Sequence, residues 1–195
     1  MFVRHARAAV VLLASTLGCS FAILPSSAFA QSTARHCVAQ PSATPGQPPA
    51  MQCFSTFAAA ISAATDGVVQ LSASTPVGPL PDWAITADSA GTTHSVGPLT
   101  SVILSIDYTG TNESGSSLTW RQSSGCGSYS ASSMPTGWND VVSSVSNFNG
   151  CGTTLYQNTS FTGSTFSIAV NGTANTLGSF NREASSQKWC TSNSC

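Results

Sequence analysis

Charged residues are scarce in this chain of 195 residues, which has six Lys or Arg and seven Asp or Glu, 7% of the total. Proteins that bind nucleic acids neutralise phosphates with clusters of Lys and Arg, and anionic membranes are held in the same way. The chain has no such cluster. We therefore expect no nucleic-acid partner and no electrostatic attachment to a membrane.

Catalytic motifs are also lacking. No G-x-S-x-G turn occurs, and His94 lies in a loop-like Ser/Thr stretch without the neighbours that a nucleophilic triad needs. Three acidic residues are candidates for glycoside hydrolysis, but nothing in the sequence places two of them at one cleft: Asp107, Glu113 and Asp140. We expect no catalytic residues, and a protein that is not an enzyme. The Trp residues are expected in the core rather than as sugar platforms.

Long apolar runs are missing except near the beginning of the chain. Arg4 and Arg7 precede an apolar run from Ala8, and Ala28 and Ala30 form the small-x-small pattern of a signal-peptidase site. We predict a signal peptide at residues 1–30 and a secreted protein without a membrane span. Cleavage leaves four basic and seven acidic residues, a net charge of −3 (4 − 7). Cys19 after Leu-Gly leaves lipidation as the rival interpretation.

Cysteines never occur here as C-x-x-C, which argues against a metal site built from them. Six remain after cleavage, and an even number in an exported chain indicates disulfides. Six cysteines allow 15 pairings. We predict that sequence neighbours pair: Cys37 with Cys53, Cys126 with Cys151, and Cys190 with Cys195.

The mature chain divides near residue 100. Residues 31–100 form an N-terminal Pro/Ser-rich segment, which is also a candidate pro-segment that is removed after export. One short helix is predicted from an apolar face that ends before Asp66-Gly67: Phe54, Phe57, Ala58 and Ile61. A short strand is predicted at residues 68–71, and residues 72–100 are expected to be mostly loop.

Residues 101–195 have an all-β pattern. We predict strands at residues 101–106, 118–120, 153–156 and 165–170, and the Asn171-Gly172 pair indicates a hairpin. This half also repeats itself. Residues 106–108 and 114–116 align with residues 154–156 and 162–164 at an offset of 48, and residues 138–144 align with residues 180–186 at an offset of 42. Two copies of a four-strand unit suggest two sheets packed as a sandwich.

Each copy of the second repeat contains Asn-x-x-x-Ser-Ser. Hard cations such as Ca²⁺ take six to eight oxygen ligands from carboxylates, amides, hydroxyls and main-chain carbonyls. Asn139, Asp140, Val141 and Ser143 could supply such oxygens from one turn between strands. A turn in which the same side chains only bond local backbone is the alternative. The repeat favours the metal site, because matching turns in a pseudo-symmetric pair can share ligands.

The same residues resemble the βγ-crystallin family. Residues 156–163, Tyr-x4-Phe-x-Gly, are similar to its Greek-key signature, and residues 139–144, Asn-Asp-x-x-Ser-Ser, to its calcium signature. The resemblance covers about residues 101–190. It implies one domain of two Greek keys in a β-sandwich and leaves the preceding segment with one helix unexplained. It also implies up to two Ca²⁺ ions between paired turns, where the Asn/Asp pair of one key works with the Ser of the other.

The resemblance assigns the ligands of two sites. The better site takes the side chains of Asn139, Asp140 and Ser185 with the carbonyl of Val141. The partner site takes Asn181 and Ser143, but Arg182 stands where the family has Asn or Asp, and a guanidinium has no acceptor. We therefore expect the partner site to be weak or absent. The adjacent Glu183 either substitutes for the missing ligand or simply pairs with Arg182.

The first key departs from the pattern as well, because Glu113 occupies the position of the second aromatic. We expect a monomer whose cofactor is Ca²⁺. The alternative is a protease inhibitor or antimicrobial protein of the same fold that does not require calcium. Its partner would be a secreted protease or a cell-surface target, bound through an exposed loop at residues 126–138.

Overall fold

Ten strands form two sheets in the computed structural model, which describes residues 34–42, 47–81 and 101–195. The strands are β1 (His36–Ala39), β2 (Met51–Phe54), β3 (Val102–Gly110), β4 (Ser114–Gln122), β5 (Tyr129–Ala131), β6 (Ser144–Asn147), β7 (Gly152–Asn158), β8 (Thr162–Ile168), β9 (Thr173–Ala174) and β10 (Ser186–Cys190). One helix, α1 (Phe57–Ala64), and two 3₁₀ turns, Thr159–Phe161 and Gly178–Phe180, complete the described elements. The predictions for the signal peptide, Cys19, Trp83 and His94 lie outside the described residues.

Strand order gives the architecture of residues 101–195. The first sheet has the order β2-β1-β4-β3-β6-β9, and the second has the order β5-β10-β7-β8. The repeat containing β3 to β6 therefore gives its third strand, β5, to the second sheet, and the repeat containing β7 to β10 gives β9 to the first. This exchange makes two interlocked Greek keys, which we call the first key and the second key. The predicted all-β sandwich with one helix is confirmed.

The N-terminal segment joins the first sheet. Strand β1 runs parallel to β4, with His36 opposite Ser117 and Ala39 opposite Trp120, and antiparallel to β2. Thr56 caps α1 by accepting a hydrogen bond from the Ala59 N–H group at 3.2 Å. The buried face of the helix packs with the outer face of the first sheet in one apolar cluster that includes Phe57, Ile61, Ile103, Ile106 and Tyr108. The first sheet is therefore covered on both faces.

The second apolar cluster fills the space between the sheets. Trp120 and Trp189 are fully buried there, with ring centroids 4.8 Å apart. Trp138 is buried in the same cluster. These three Trp residues lie in the core, as expected.

Two local predictions were wrong. Residues 68–71 are not a strand, because the Val69 N–H group bonds the Thr65 side chain at 3.1 Å and Val69 packs into the α1 cluster instead of joining a ladder. Asn171-Gly172 forms a turn, but not a hairpin between paired strands. The strand before it, β8, pairs with β7 in the second sheet, whereas the strand after it, β9, pairs with β6 in the first.

Three disulfides join the pairs of sequence neighbours: Cys37–Cys53, Cys126–Cys151 and Cys190–Cys195. The first links β1 to β2, the second links the segment before β5 to the residue before β7, and the third closes the end of the chain after β10. Each bridge therefore fixes a different part of the described structure.

Candidate metal site

Two arches between strands face each other at one place in the sandwich. We call residues 138–144 the first arch and residues 180–186 the second arch. Each begins at a buried aromatic residue, Trp138 or Phe180, and ends where a strand starts, β6 or β10. The aromatic side chains anchor both arches in the core, so that the polar residues that follow are held at the surface.

Reciprocal backbone hydrogen bonds join the arches. The Asp140 N–H group donates to the Ala184 carbonyl at 3.1 Å, and the Arg182 N–H group donates to the Val142 carbonyl at 2.8 Å. Asp140 and Arg182 occupy the same left-handed conformation, with φ of 55° and 63°. Asp adopts this region more readily than Arg. The reciprocal hydrogen bonds and the matching backbone conformations show that the two arches pair according to the pseudo-twofold relation that the sequence repeat indicated.

The residues predicted for the better site come together. The Ser185 hydroxyl of the second arch donates to Asp140 Oδ1 of the first at 3.2 Å, and Asn139 Nδ2 donates to Asp140 Oδ2 at 2.5 Å. The Val141 carbonyl accepts no backbone hydrogen bond in the described part of the chain. Asn139 and Asp140 are exposed, whereas Ser185 is buried.

This donor set fits a hard cation. It has one carboxylate, one amide, one hydroxyl and a free carbonyl, and exposure leaves room for water to complete six to eight oxygen ligands. The Ser185 hydroxyl and the Asn139 amide donate hydrogen bonds to the Asp140 carboxylate. To bind an ion, the Ser185 hydroxyl would rotate and the Asn139 amide would turn over, so that each presents an oxygen lone pair to the ion. The described residues contain no group of three or more His, Cys, Asp or Glu side chains suited to a metal, so a site here combines the single carboxylate of Asp140 with neutral oxygens.

The residues of the partner site also lie on the paired arches, but their chemistry differs. Ser143 is buried, Asn181 is exposed, and Arg182 holds the position that Asp140 holds in the first arch. The Glu183 carboxylate accepts a hydrogen bond from Gln157 Nε2 at 2.9 Å. The partner site therefore has a fixed positive charge in place of a ligand.

The second Ser of each arch has a role that the sequence reading missed. The Ser144 hydroxyl donates to the Gly110 carbonyl at 2.7 Å and accepts from the Glu113 N–H group at 3.0 Å. Ser186 bonds Asn158 and Phe161 in the same way, at 2.6 and 3.1 Å. These hydroxyls tie each arch to the corner of its own hairpin. The signal was present, because both Ser residues recur at the offset of 42.

The two hairpin corners keep one backbone conformation despite the departure at Glu113. Glu113 and Phe161 both have positive φ, 57° and 62°. Phe161 packs edge-on against Tyr156 with ring centroids 5.7 Å apart, whereas Glu113 accepts a hydrogen bond from the Ser146 hydroxyl. The first corner therefore replaces an aromatic contact with a polar one.

Asp107, one of the acidic candidates, is fully buried between the sheets. Burial raises the pKa of Asp107 to about 7, against the lowering effect of hydrogen bonds from Trp120, Gln187 and Ser105. Trp120 Nε1 lies 2.7 Å from Asp107 Oδ2, and Gln187 Nε2 lies 3.4 Å from Oδ1. Asp107, Glu113 and Asp140 thus have different partners in three different surroundings.

No protein-family model matches the chain, and no curated protein matches it. Solved structures do. One that concerns the evolution of the eye-lens βγ-crystallin domain fold is 22% identical over 45% of this chain and 85% of its own, with a TM-score of 0.38. A βγ-crystallin domain from Clostridium beijerinckii is 20% identical over 46% and 99% of the two chains, with a TM-score of 0.35.

A βγ-crystallin from Ciona intestinalis is 24% identical over 43% of this chain and 95% of its own, with a TM-score of 0.35. Identities this low bear on the fold alone, and the TM-scores are below 0.5, so the strand order of the two sheets carries the assignment. The chain resembles βγ-crystallin domains in fold. Strands β1 and β2 and helix α1 form an N-terminal cover on the first sheet.

Proposed function

We propose that this is an exported, non-catalytic protein that binds Ca²⁺ between its two arches and is stabilised by the ion. The carboxylate of Asp140, the amide of Asn139, the carbonyl of Val141 and the hydroxyl of Ser185 hold the ion. The proposal rests on one observation above all. Ser185 Oγ and Asp140 Oδ1, 45 residues apart in the chain, lie 3.2 Å apart across the paired arches.

The charges of the residues at the two arches support one Ca²⁺ site rather than two. Asp140 supplies the only carboxylate of the better site, and Arg182 opposes an ion at the partner site, where Asn181 and Ser143 remain. Sites with few charged ligands belong with the weaker extracellular modules, with dissociation constants on the order of 10⁻⁴ to 10⁻³ M. A function outside the cell, where millimolar Ca²⁺ is met, agrees with such an affinity.

Export is supported by the signal-like residues 1–30 and by the three disulfides, which persist in oxidising compartments. None of the described helices has the length and apolar character needed to cross a membrane. The inhibitor alternative requires an exposed loop at residues 126–138. Residues 129–131 of that stretch form β5 and pair with β10, and Ala131 is buried, so we do not propose it.

Calcium titration by calorimetry and thermal melts of the mature protein test the proposal. At 10 mM Ca²⁺ and a dissociation constant of about 1 mM, binding adds about 1.4 kcal/mol to the free energy of unfolding. For a chain of this size, that raises Tm by about 3–6 °C relative to chelator. Mg²⁺ at the same ionic strength is the control. Coincident melts in Ca²⁺ and chelator would contradict the proposal.

Two substitutions assign the site. Asp140→Asn removes the carboxylate and should weaken Ca²⁺ binding by at least tenfold, whereas Asn181→Ala changes only the partner site and should have little effect. The reverse order of effects would show that the two sites are assigned the wrong way round. Tm in chelator serves as the control for folding, because both residues are exposed.

A further inference from the structure

A cavity lies on the outer face of the first sheet, away from the arch residues. Its volume is about 400 Å³, and its walls come from two parts of the chain: the segment after α1 and the region of β6, β9 and the first hairpin corner. Leu80, Pro79 and Phe148 give it apolar surface, while Glu113 and Asn149 give it polar atoms.

Glu113 is the one acidic residue of this cavity, and it is 8% exposed. The Ser146 hydroxyl donates to Glu113 Oε1. No described residue donates to Oε2. Burial of a carboxylate is costly unless a cation or several hydrogen bonds compensate it. Oε2 is not among the buried atoms that lack a partner, so it reaches solvent at the cavity and has no donor among the described residues.

None of the Lys and Arg side chains in the described part of the chain forms an ion pair with Glu113. Only four Lys or Arg residues follow residue 30. Arg121 pairs with Asp66 at 2.7 Å, and Lys188 lies over the ring of Phe161, 4.6 Å from its centroid. Arg182 sits in the second arch, and Arg35 is exposed beside Ser116 with its N–H group on that side chain. A positive charge at Glu113 would therefore come from outside the described residues.

Other polar atoms at the cavity are mainly acceptors. Asn149 gives its amide N–H to the Ile103 carbonyl at 2.8 Å, which leaves its oxygen free. The Thr173 and Ser146 hydroxyls lie 3.1 Å apart, so that the chain of hydroxyls ends on Glu113. Asn171 uses its oxygen for the Gly150 N–H group and keeps its amide N–H at the rim. Around Glu113, a ligand must supply donors and positive charge.

We propose that this cavity binds a primary alkylammonium ion, with the ammonium at Glu113 Oε2 and the alkyl stem against Leu80 and Phe148. An ammonium group has three N–H donors, which match the carboxylate, the Asn149 oxygen and the Thr173 hydroxyl. A divalent metal fits less well, since the cavity offers one carboxylate and an apolar wall. The charge belongs either to a small free amine or to a lysine side chain. This inference does not depend on calcium binding.

Titration of the folded, mature protein with 1,5-diaminopentane, followed by backbone amide shifts in NMR at constant ionic strength, tests the proposal. Saturable shifts are expected at Glu113, Ser146 and Thr173. Nα-acetyl-lysine methylamide, titrated separately, shows whether a lysine side chain also enters. Tetramethylammonium, which has no N–H donor, is the matched control cation and should leave these resonances unchanged. The same saturation with tetramethylammonium or with Ca²⁺ would overturn the assignment.

Substitutions complete the test. Glu113→Gln keeps the shape of the side chain but removes its charge, so affinity should fall about ten- to hundredfold, the change expected when a charged hydrogen bond is lost. Thr173→Arg introduces a positive charge at an exposed position in the cavity wall and should also abolish binding. This second variant leaves the buried Glu113 side chain unchanged. Glu183→Gln removes a carboxylate elsewhere and should bind as the wild type does. Undiminished binding in Glu113→Gln, or no saturable shift in the wild type, would overturn the proposal.

Discussion

The two keys have the same arrangement of strands and turns but different surroundings. Tyr108 of the first key is fully buried, and its hydroxyl donates to the Gly78 carbonyl at 3.2 Å. Tyr156, its counterpart in the second key, is half-buried, and the described residues around its ring include Phe161 and Lys188. The N-terminal segment covers the outer face of the first key, whereas most of β8 in the second key is exposed.

The two keys also differ in their buried polar residues. At matched positions, the first key has Asp107 and Glu113 where the second has Leu155 and Phe161. Asp107 and Glu113 are both buried, and each has hydrogen-bond partners there. The comparison shows that a repeated motif can keep its turns and pairing while one copy gains buried polar groups, Asp107 between the sheets and Glu113 at the cavity beside Leu80.

Removing the cover should have the largest effect. A chain that begins at Ser101 exposes Ile103, Ile106 and Tyr108 to water, and each large apolar side chain contributes about 1.5–3 kcal/mol when buried. The total is comparable with the whole free energy of unfolding of a domain. We expect this chain to be insoluble or to lack near-ultraviolet circular dichroism, whereas a chain from Gln31 folds.

A natively folded chain from Ser101 would break the comparison, because the first key would then not need its cover. Amino-terminal sequencing of the exported protein bears on the same point. We expect residues 34–81 to be retained, and a form that begins near residue 101 would instead support a removable pro-segment.

Asp107 should give the first key a pH dependence that the second lacks. Its pKa in the folded protein is raised from 3.8 to about 7 by burial, so the folded state binds the proton more tightly than the unfolded state does. The contribution of Asp107 to stability is therefore full below pH 4 and is lost as pH rises to about 7. The loss is about 4 kcal/mol.

Asp107→Asn should remove that slope and raise Tm at pH 8 relative to the wild type. The Asn oxygen can still accept from Trp120. Its amide takes the place of Oδ1 and can donate to Gln187 Oε1, which is buried without a partner in the described structure, once the Gln187 side-chain amide turns over. Urea unfolding at pH 4, 6 and 8 measures the effect, and Asp140→Asn, an exposed change, is the control. An unchanged slope in Asp107→Asn would assign the pH dependence to another group.

The smallest effect concerns the disulfides. Cys126–Cys151 links the two keys over 25 residues, whereas Cys190–Cys195 closes 5 residues within the second key. Chain entropy alone predicts losses of about 3–4 and about 2 kcal/mol when each pair is replaced by Ala. Urea unfolding of the two double variants measures the difference. Equal losses would show that the bridge between the keys does not restrain them more than the terminal one.

Local patterns in the sequence predicted much of the fold and of the candidate site. The offsets of 48 and 42 located both arches and both hairpin corners, and the apolar face at Phe57, Ala58 and Ile61 located α1. The contact between Asp140 and Ser185 followed from the repeat and the family resemblance. Binding of Ca²⁺ there stays a proposal. The turn at Asn171-Gly172 was recognisable, but its partner strands were not, because turn preference acts over four residues and strand pairing over the whole sheet.

By itself, the sequence determined what is local: where strands and turns occur, which cysteines are near neighbours, and which side chains carry oxygen at each arch. Only the tertiary structure decided that β1 lies parallel to β4, that Asp107 and Glu113 are buried, and that a cavity with no Lys or Arg among its described lining residues opens beside Glu113. The reason is physical. Burial and pairing depend on segments far apart in the chain, such as residues 78–80 over Tyr108, and no pattern within either segment encodes the other.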